Sequence, residues 1–100
     1  MATITKALVR AAAGTSTATL YTVPASTTTV VTNIVVTNSA GSAATFTLTL
    51  NSVDIFTTSA IAANSTAMFD LKQVLTTTKI IAGLASAITV KFHVSGVEIS

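Results

Sequence analysis

Thr45-Phe46-Thr47-Leu48-Thr49-Leu50 alternates polar and apolar residues without a break, the period of a half-buried β-strand. Phe46, Leu48 and Leu50 then face a core, and the three threonines face away from it. Asn51-Ser52 reads as a tight hairpin turn, a weaker signal than Asn-Gly. A two-residue loop makes Val53–Thr57 the return strand, with Leu50 opposite Val53 and Leu48 opposite Ile55. The same register sets Phe56 opposite Thr47, on the outer face.

The rest of the chain repeats this vocabulary. Thr19–Val23 is a short strand ended by Pro24, with Ala25-Ser26 continuing the turn. Thr28–Thr37 is a long strand whose Val30, Val31, Ile34, Val35 and Val36 make both faces partly apolar, so it belongs inside a sheet or under cover on both sides. Asn38–Ser42 is a loop on composition. Asn64-Ser65 turns into a strand at Thr66–Leu71. Gln73–Thr78 reads as a loop or short helical turn, and Lys79–Leu84 as a further strand. In the last strand Ile88, Val90, Phe92 and Val94 point inward while Thr89, Lys91 and His93 point outward. Val97 and Ile99 break that phase at Ser95-Gly96, the mark of a β-bulge at a glycine.

Residues 1–17 are read as an N-terminal arm or edge strand, with Ile4–Val9 as the strand and a small-residue stretch from Ala11 to Ala18. Residues 18–100 form the main domain. Seven or eight short strands at 8–12-residue spacing, without a helix-period segment, indicate an all-β chain. We expect one antiparallel β-sandwich of jelly-roll-like type.

Composition sharpens the picture. Half of the 100 residues are hydrophobic and 8% are charged, against about 25% in an ordinary globular domain. Few Lys or Pro residues protect sheet edges, so neighbouring subunits are expected to cover part of the surface. The net charge of +2 comes from scattered cations, Lys6, Arg10, Lys72, Lys79 and Lys91. No basic stripe for nucleic acid results. Without cysteine there is no disulfide framework and no thiolate site. The first residues lack the basic and apolar regions of a signal peptide, and no apolar run reaches the ~18 residues of a membrane helix.

Candidate chemistry is sparse. His93 is the sole histidine, two residues from Lys91 on the polar side of its strand, and reads as a surface or interface residue. Asp54, Asp70 and Glu98 show no pairing suited to acid–base work. G-x-S-x-G, G-x-G-x-x-G and the P-loop pattern are absent. Asn64-Ser65-Thr66 matches a glycosylation sequon by chance. We therefore expect no catalytic, cofactor-binding or metal-binding residues and no cofactor, and no enzyme.

Leu20-Tyr21-Thr22-Val23-Pro24-Ala25, the strand Val30–Asn38, the hairpin Leu50-Asn51-Ser52-Val53-Asp54 and the closing Val94-Ser95-Gly96-Val97-Glu98-Ile99 together resemble a recurrent virion domain of tailed bacteriophages. The resemblance covers about residues 18–99. The chain departs from it at Asn51-Ser52, where Asn-Gly is commoner, and at Thr76-Thr77-Thr78, where a Gly-Asp turn is commoner. It implies a small β-sandwich structural protein of the virion, assembled in the host cytoplasm. The leading expectation is a capsid decoration (cement) protein that binds and stabilises the outer shell. It would be a homo-oligomer, most simply a trimer, with the major capsid protein or another virion protein as partner and neither nucleic acid nor membrane. A neck, collar or tail component is the alternative. A carbohydrate- or cell-surface-binding module is a distant third.

Overall fold

The computed structural model describes residues 3–100. Among them, eight strands are β1 (Thr3–Ala12), β2 (Ala18–Thr22), β3 (Thr28–Asn38), β4 (Ala44–Leu50), β5 (Val53–Ile61), β6 (Ser65–Leu75), β7 (Ile80–Ala85) and β8 (Val90–Ile99). They build two four-stranded antiparallel sheets, ordered β1-β8-β3-β6 and β2-β7-β4-β5. Apart from the β4–β5 hairpin, each consecutive connection crosses from one sheet to the other. That interleaving is the jelly roll, two sheets sharing one apolar interior.

The alternation seen in the sequence maps onto the sheets. Phe46, Leu48 and Leu50 are buried, and Thr45, Thr47 and Thr49 turn outward. β3 lies between β8 and β6 in the sheet, with Val31, Ile34 and Val36 buried on its inner face and Val30 and Val35 half-buried on its outer one. Val90, Phe92 and Val94 are buried under the opposite sheet. All four phenylalanines converge from β4, β5, β6 and β8: Phe46 lies 5.5 Å from Phe56, 6.5 Å from Phe69 and 6.1 Å from Phe92, and Phe56 lies 4.5 Å from Phe69. Tilted and edge contacts of this kind add about 0.5–1.5 kcal/mol per pair to the burial itself.

Phe56 is therefore a core residue, not an outward one. Leu50 does face Val53, but Leu48 faces Phe56 rather than Ile55. Ile55 is an extra residue on β5, and it moves Phe56 to the inner face. A second extra residue follows at Thr57–Thr58, where Thr58 takes φ 44° and donates its backbone N–H to Thr47 Oγ1 at 2.9 Å. Alternation alone cannot register such insertions, because a bulge shifts the face of everything beyond it.

The phase break at Ser95-Gly96 is also resolved differently. β8 keeps its alternation through Gly96, and the extra residues sit on its two neighbours: Leu8 on β1 and Thr32 on β3. Val97 and Ile99 consequently share the outer face with Val30. Gly96 faces inward beneath Leu8, so close to β3 that an added Cβ would lie 2.2 Å from the Val30 carbonyl oxygen and 3.0 Å from Leu8 Cδ1.

Three boundaries shift. β6 runs on to Leu75, so residues 73–75 are strand, and the chain reverses at Thr76–Lys79 with Thr78 at φ 71°. Ile88 lies in the turn before β8 and is exposed, not inward. Residues 3–12 form edge strand β1, paired with β8 along its length, and Leu8, Val9 and Ala13 enter the core. The remaining small residues to Thr17 connect β1 to β2.

Candidate interaction surface

The chemistry-bearing residues singled out from sequence are dispersed. His93 points outward from β8, where its cross-strand partners are Arg10 and Val35, not a carboxylate. Lys91, two residues earlier on the same face, reaches Ser39 Oγ at 3.4 Å. Asp70 lies on edge strand β6. Asp54 lies on β5 in the other sheet, where it accepts a hydrogen bond from Thr57 at 2.8 Å. Among the described residues, no group of three or more His, Asp or Glu is placed to hold a metal ion. Asn64 of the sequon is a turn residue at φ 50° whose N–H donates to the Ala40 carbonyl at 3.0 Å.

Glu98 enters an arrangement that no local motif signals. Thr29 of β3 and Glu98 of β8 are paired neighbours on the inner face of the first sheet. From the second sheet Tyr21 donates its phenolic O–H to Glu98 Oε2 and lies 2.9 Å from Thr29 Oγ1. With that phenolic hydrogen committed to the carboxylate, Thr29 is the donor to the phenolic oxygen. Lys6 on β1 reaches both Glu98 oxygens at 3.4 Å. Burial, followed by the hydrogen bond to Glu98, pushes the Tyr21 phenol up to about 12, against the opposing donation from Thr29. The cluster is a polar clasp between the sheets, and its chemistry is structural.

At the other end of the sandwich buried Asn38 has a similar function. Its Nδ2 donates to the carbonyls of Ser42 (2.9 Å) and Ala62 (3.3 Å), and its Oδ1 accepts from Ala40 N–H (3.1 Å) and Thr89 Oγ1 (3.2 Å). A single satisfied amide thus fixes three connecting segments.

What remains exposed is surface for contact. Residues opposite one another in adjacent strands share a face, so the outer side of the first sheet carries Val97, Val30 and Val74 in one row and His93, Val35 and Met68 in another. Val74 and Met68, on β6, are 63% and 78% exposed. Two shallow hollows lie on either side of Thr32 and share it in their linings: one is lined by Lys6 and Arg10 of β1, the other by Asp70, Leu71 and Lys72 of β6. A third hollow, on the outer side of the other sheet, is lined by the hydroxyls of Thr15, Thr45, Thr47, Thr58 and Ser86. Thr47 and Ser86 already accept backbone hydrogen bonds there.

No protein-family model matches the chain, and no curated protein matches it. Among solved structures, the chain is similar to a pentameric capsid protein isolated from metagenomic phage sequences, at a TM-score of 0.43 and 17% sequence identity. The match covers 90% of this chain, which spans 58% of that protein's chain.

Proposed function

We propose that this chain is a non-enzymatic structural protein of a bacteriophage virion, and specifically a capsid decoration protein that binds and stabilises the outer shell as a homo-oligomer. The observation that carries the reading is the outward face of the first sheet, where exposed Val74 continues the row of half-covered Val30 and Val97, and exposed Met68 ends a second row beside Val35, on a chain that is 8% charged. Exposed apolar residues in rows on a chain this poor in charge suit contact with other protein. The sequence resemblance over residues 18–99 to virion domains of tailed phages supplies the setting. A protein that binds the assembled shell and not its separated subunits stabilises the shell by mass action.

The test is the number of copies per purified particle, by quantitative mass spectrometry against the major shell protein. Hundreds of copies are expected for a decoration protein spread over the capsid lattice. A small ring-like number would place the chain in the neck, collar or tail instead. Absence from the particle would overturn the virion reading.

A further inference from the structure

We propose that the hollow on the β1 side of Thr32 is a socket for an acidic side chain of a partner protein, whose apolar side chains lie on the rows to either side. The inference rests on reading this face as a contact surface, and it names the chemistry of what covers it.

The hollow follows from the register. β1 and β3 each hold one extra residue against β8, Leu8 and Thr32. Between the row of Val97 and Val30 and the row of His93 and Val35, the sheet presents small residues: Ala7 opposite Ser95, with Gly96 beside it. Lys6 and Arg10 line the depression from β1, and among the described residues no carboxylate lines it. The ion pair of Lys6 with Glu98, at 3.4 Å, is the only one among the described residues, and it leaves the Lys6 side chain 48% exposed. Arg10 is exposed and faces His93 across the strands, so its charge is unmet. Asp70 lies across the sheet on β6, where it lines the other hollow with Lys72.

These donors suit a carboxylate. A guanidinium offers parallel N–H groups in the fork geometry that a carboxylate accepts, and such charge-assisted bonds are roughly twice as strong as neutral ones. The surroundings favour protein over nucleic acid, which is held by strings of phosphate contacts. Here two cations sit between rows that end in Val74 and Met68, 63% and 78% exposed. A partner that covers those rows carries apolar groups beside its acid. A second copy does not offer one, because each of its three carboxylates already has a donor or a cation beside it. Glu98 is held in the clasp, Asp70 lines a hollow with Lys72, and Asp54 accepts from Thr57.

NMR titration of the isotope-labelled full chain with two capped tripeptides, acetyl-Met-Glu-Val-amide and its glutamine counterpart, tests the socket. The glutamate peptide should shift the amides of residues 5–10, Thr32 and Ser95 saturably, with a dissociation constant of about 5 mM or tighter, and the glutamine peptide should bind about tenfold more weakly. Arg10→Gln should weaken the glutamate peptide by about tenfold. Lys79→Gln, which removes the same charge from the turn before β7, should change it by less than about twofold. Both side chains are exposed, so both variants are expected to fold. Inorganic phosphate and a short single-stranded DNA are the competing probes. No saturable shift, equal binding of the two peptides, or undiminished binding by Arg10→Gln would overturn the proposal. So would phosphate or DNA acting on these amides at lower concentration than the glutamate peptide, or the same amides shifting with chain concentration alone. The titration needs no particle, so its failure is distinct from absence of the chain from the virion, which the copy count reads.

Discussion

Tyr21 and Glu98, 77 positions apart in the chain, are joined by a hydrogen bond that crosses from one sheet to the other. The phenol leaves β2 at an edge of the second sheet, and the carboxylate stands one residue before the end of β8, inside the first. Thr29 and Lys6 complete the group, so four strands meet at one open end of the sandwich.

Removing the phenolic oxygen tests the clasp. Tyr21→Phe keeps the ring but takes the phenolic donor from a carboxylate that then retains Lys6 at 3.4 Å, so a loss of about 1–3 kcal/mol is expected from the unmet hydrogen bond. Chemical denaturation at neutral pH measures it. The alkaline limb gives a second readout. A phenol raised from 10.0 to about 12 holds its proton more tightly in the folded state than in the unfolded one. Its contribution is then complete below pH 10 and declines as pH rises toward 12. The wild-type chain should lose stability over that interval more steeply than Tyr21→Phe. Parallel curves would show that the phenol does not titrate differently on folding.

Phe56 should behave as core. Phe56→Ser removes a ring that touches Phe46 and Phe69, and about 3–4 kcal/mol of stability should go with it. A fall in melting temperature at unchanged oligomeric mass is the expected pattern. Weakened association with an unchanged melt would instead place the ring at an interface.

Gly96→Ala should destabilise by more than about 2 kcal/mol, as overpacking against rigid neighbours does. The obstacle is the Val30 carbonyl oxygen, 2.2 Å from the added Cβ, and backbone cannot rotate aside. Leu8→Ala in the same chain clears the other contact but not this one. Its combination with Gly96→Ala should therefore recover little stability.

The hairpin turn offers a gain. Asn51 and Ser52 both have positive φ, 54° and 63°, the geometry in which glycine is favoured at the second turn position. Ser52→Gly should raise stability by about 0.5–1 kcal/mol by removing the left-handed penalty. Thermal melting against the unchanged parent decides it.

Candidate sites were legible in the sequence to different degrees. That His93 faces outward and Phe92 inward followed from alternation within one strand. The Tyr21 clasp had no local signal, because its members are contributed by β1, β2, β3 and β8 and converge only when the sheets stack. The outer apolar face lay in between. Val97 and Ile99 were visible as apolar residues out of phase, but their side of the sheet depended on where the extra residues went.

By itself the sequence determined the all-β class, most strand cores, the Asn51-Ser52 reversal and the inward set Phe46, Leu48, Leu50, Val90, Phe92 and Val94. Period-two patterning reports directly on which side chains share a face. The tertiary structure decided the strand order, the burial of Phe56 and the transfer of the expected bulge from β8 to Leu8 and Thr32. Those outcomes depend on which neighbouring strand can accommodate one additional residue while keeping its own side chains packed. That is a property of paired strands, and no single strand's pattern contains it.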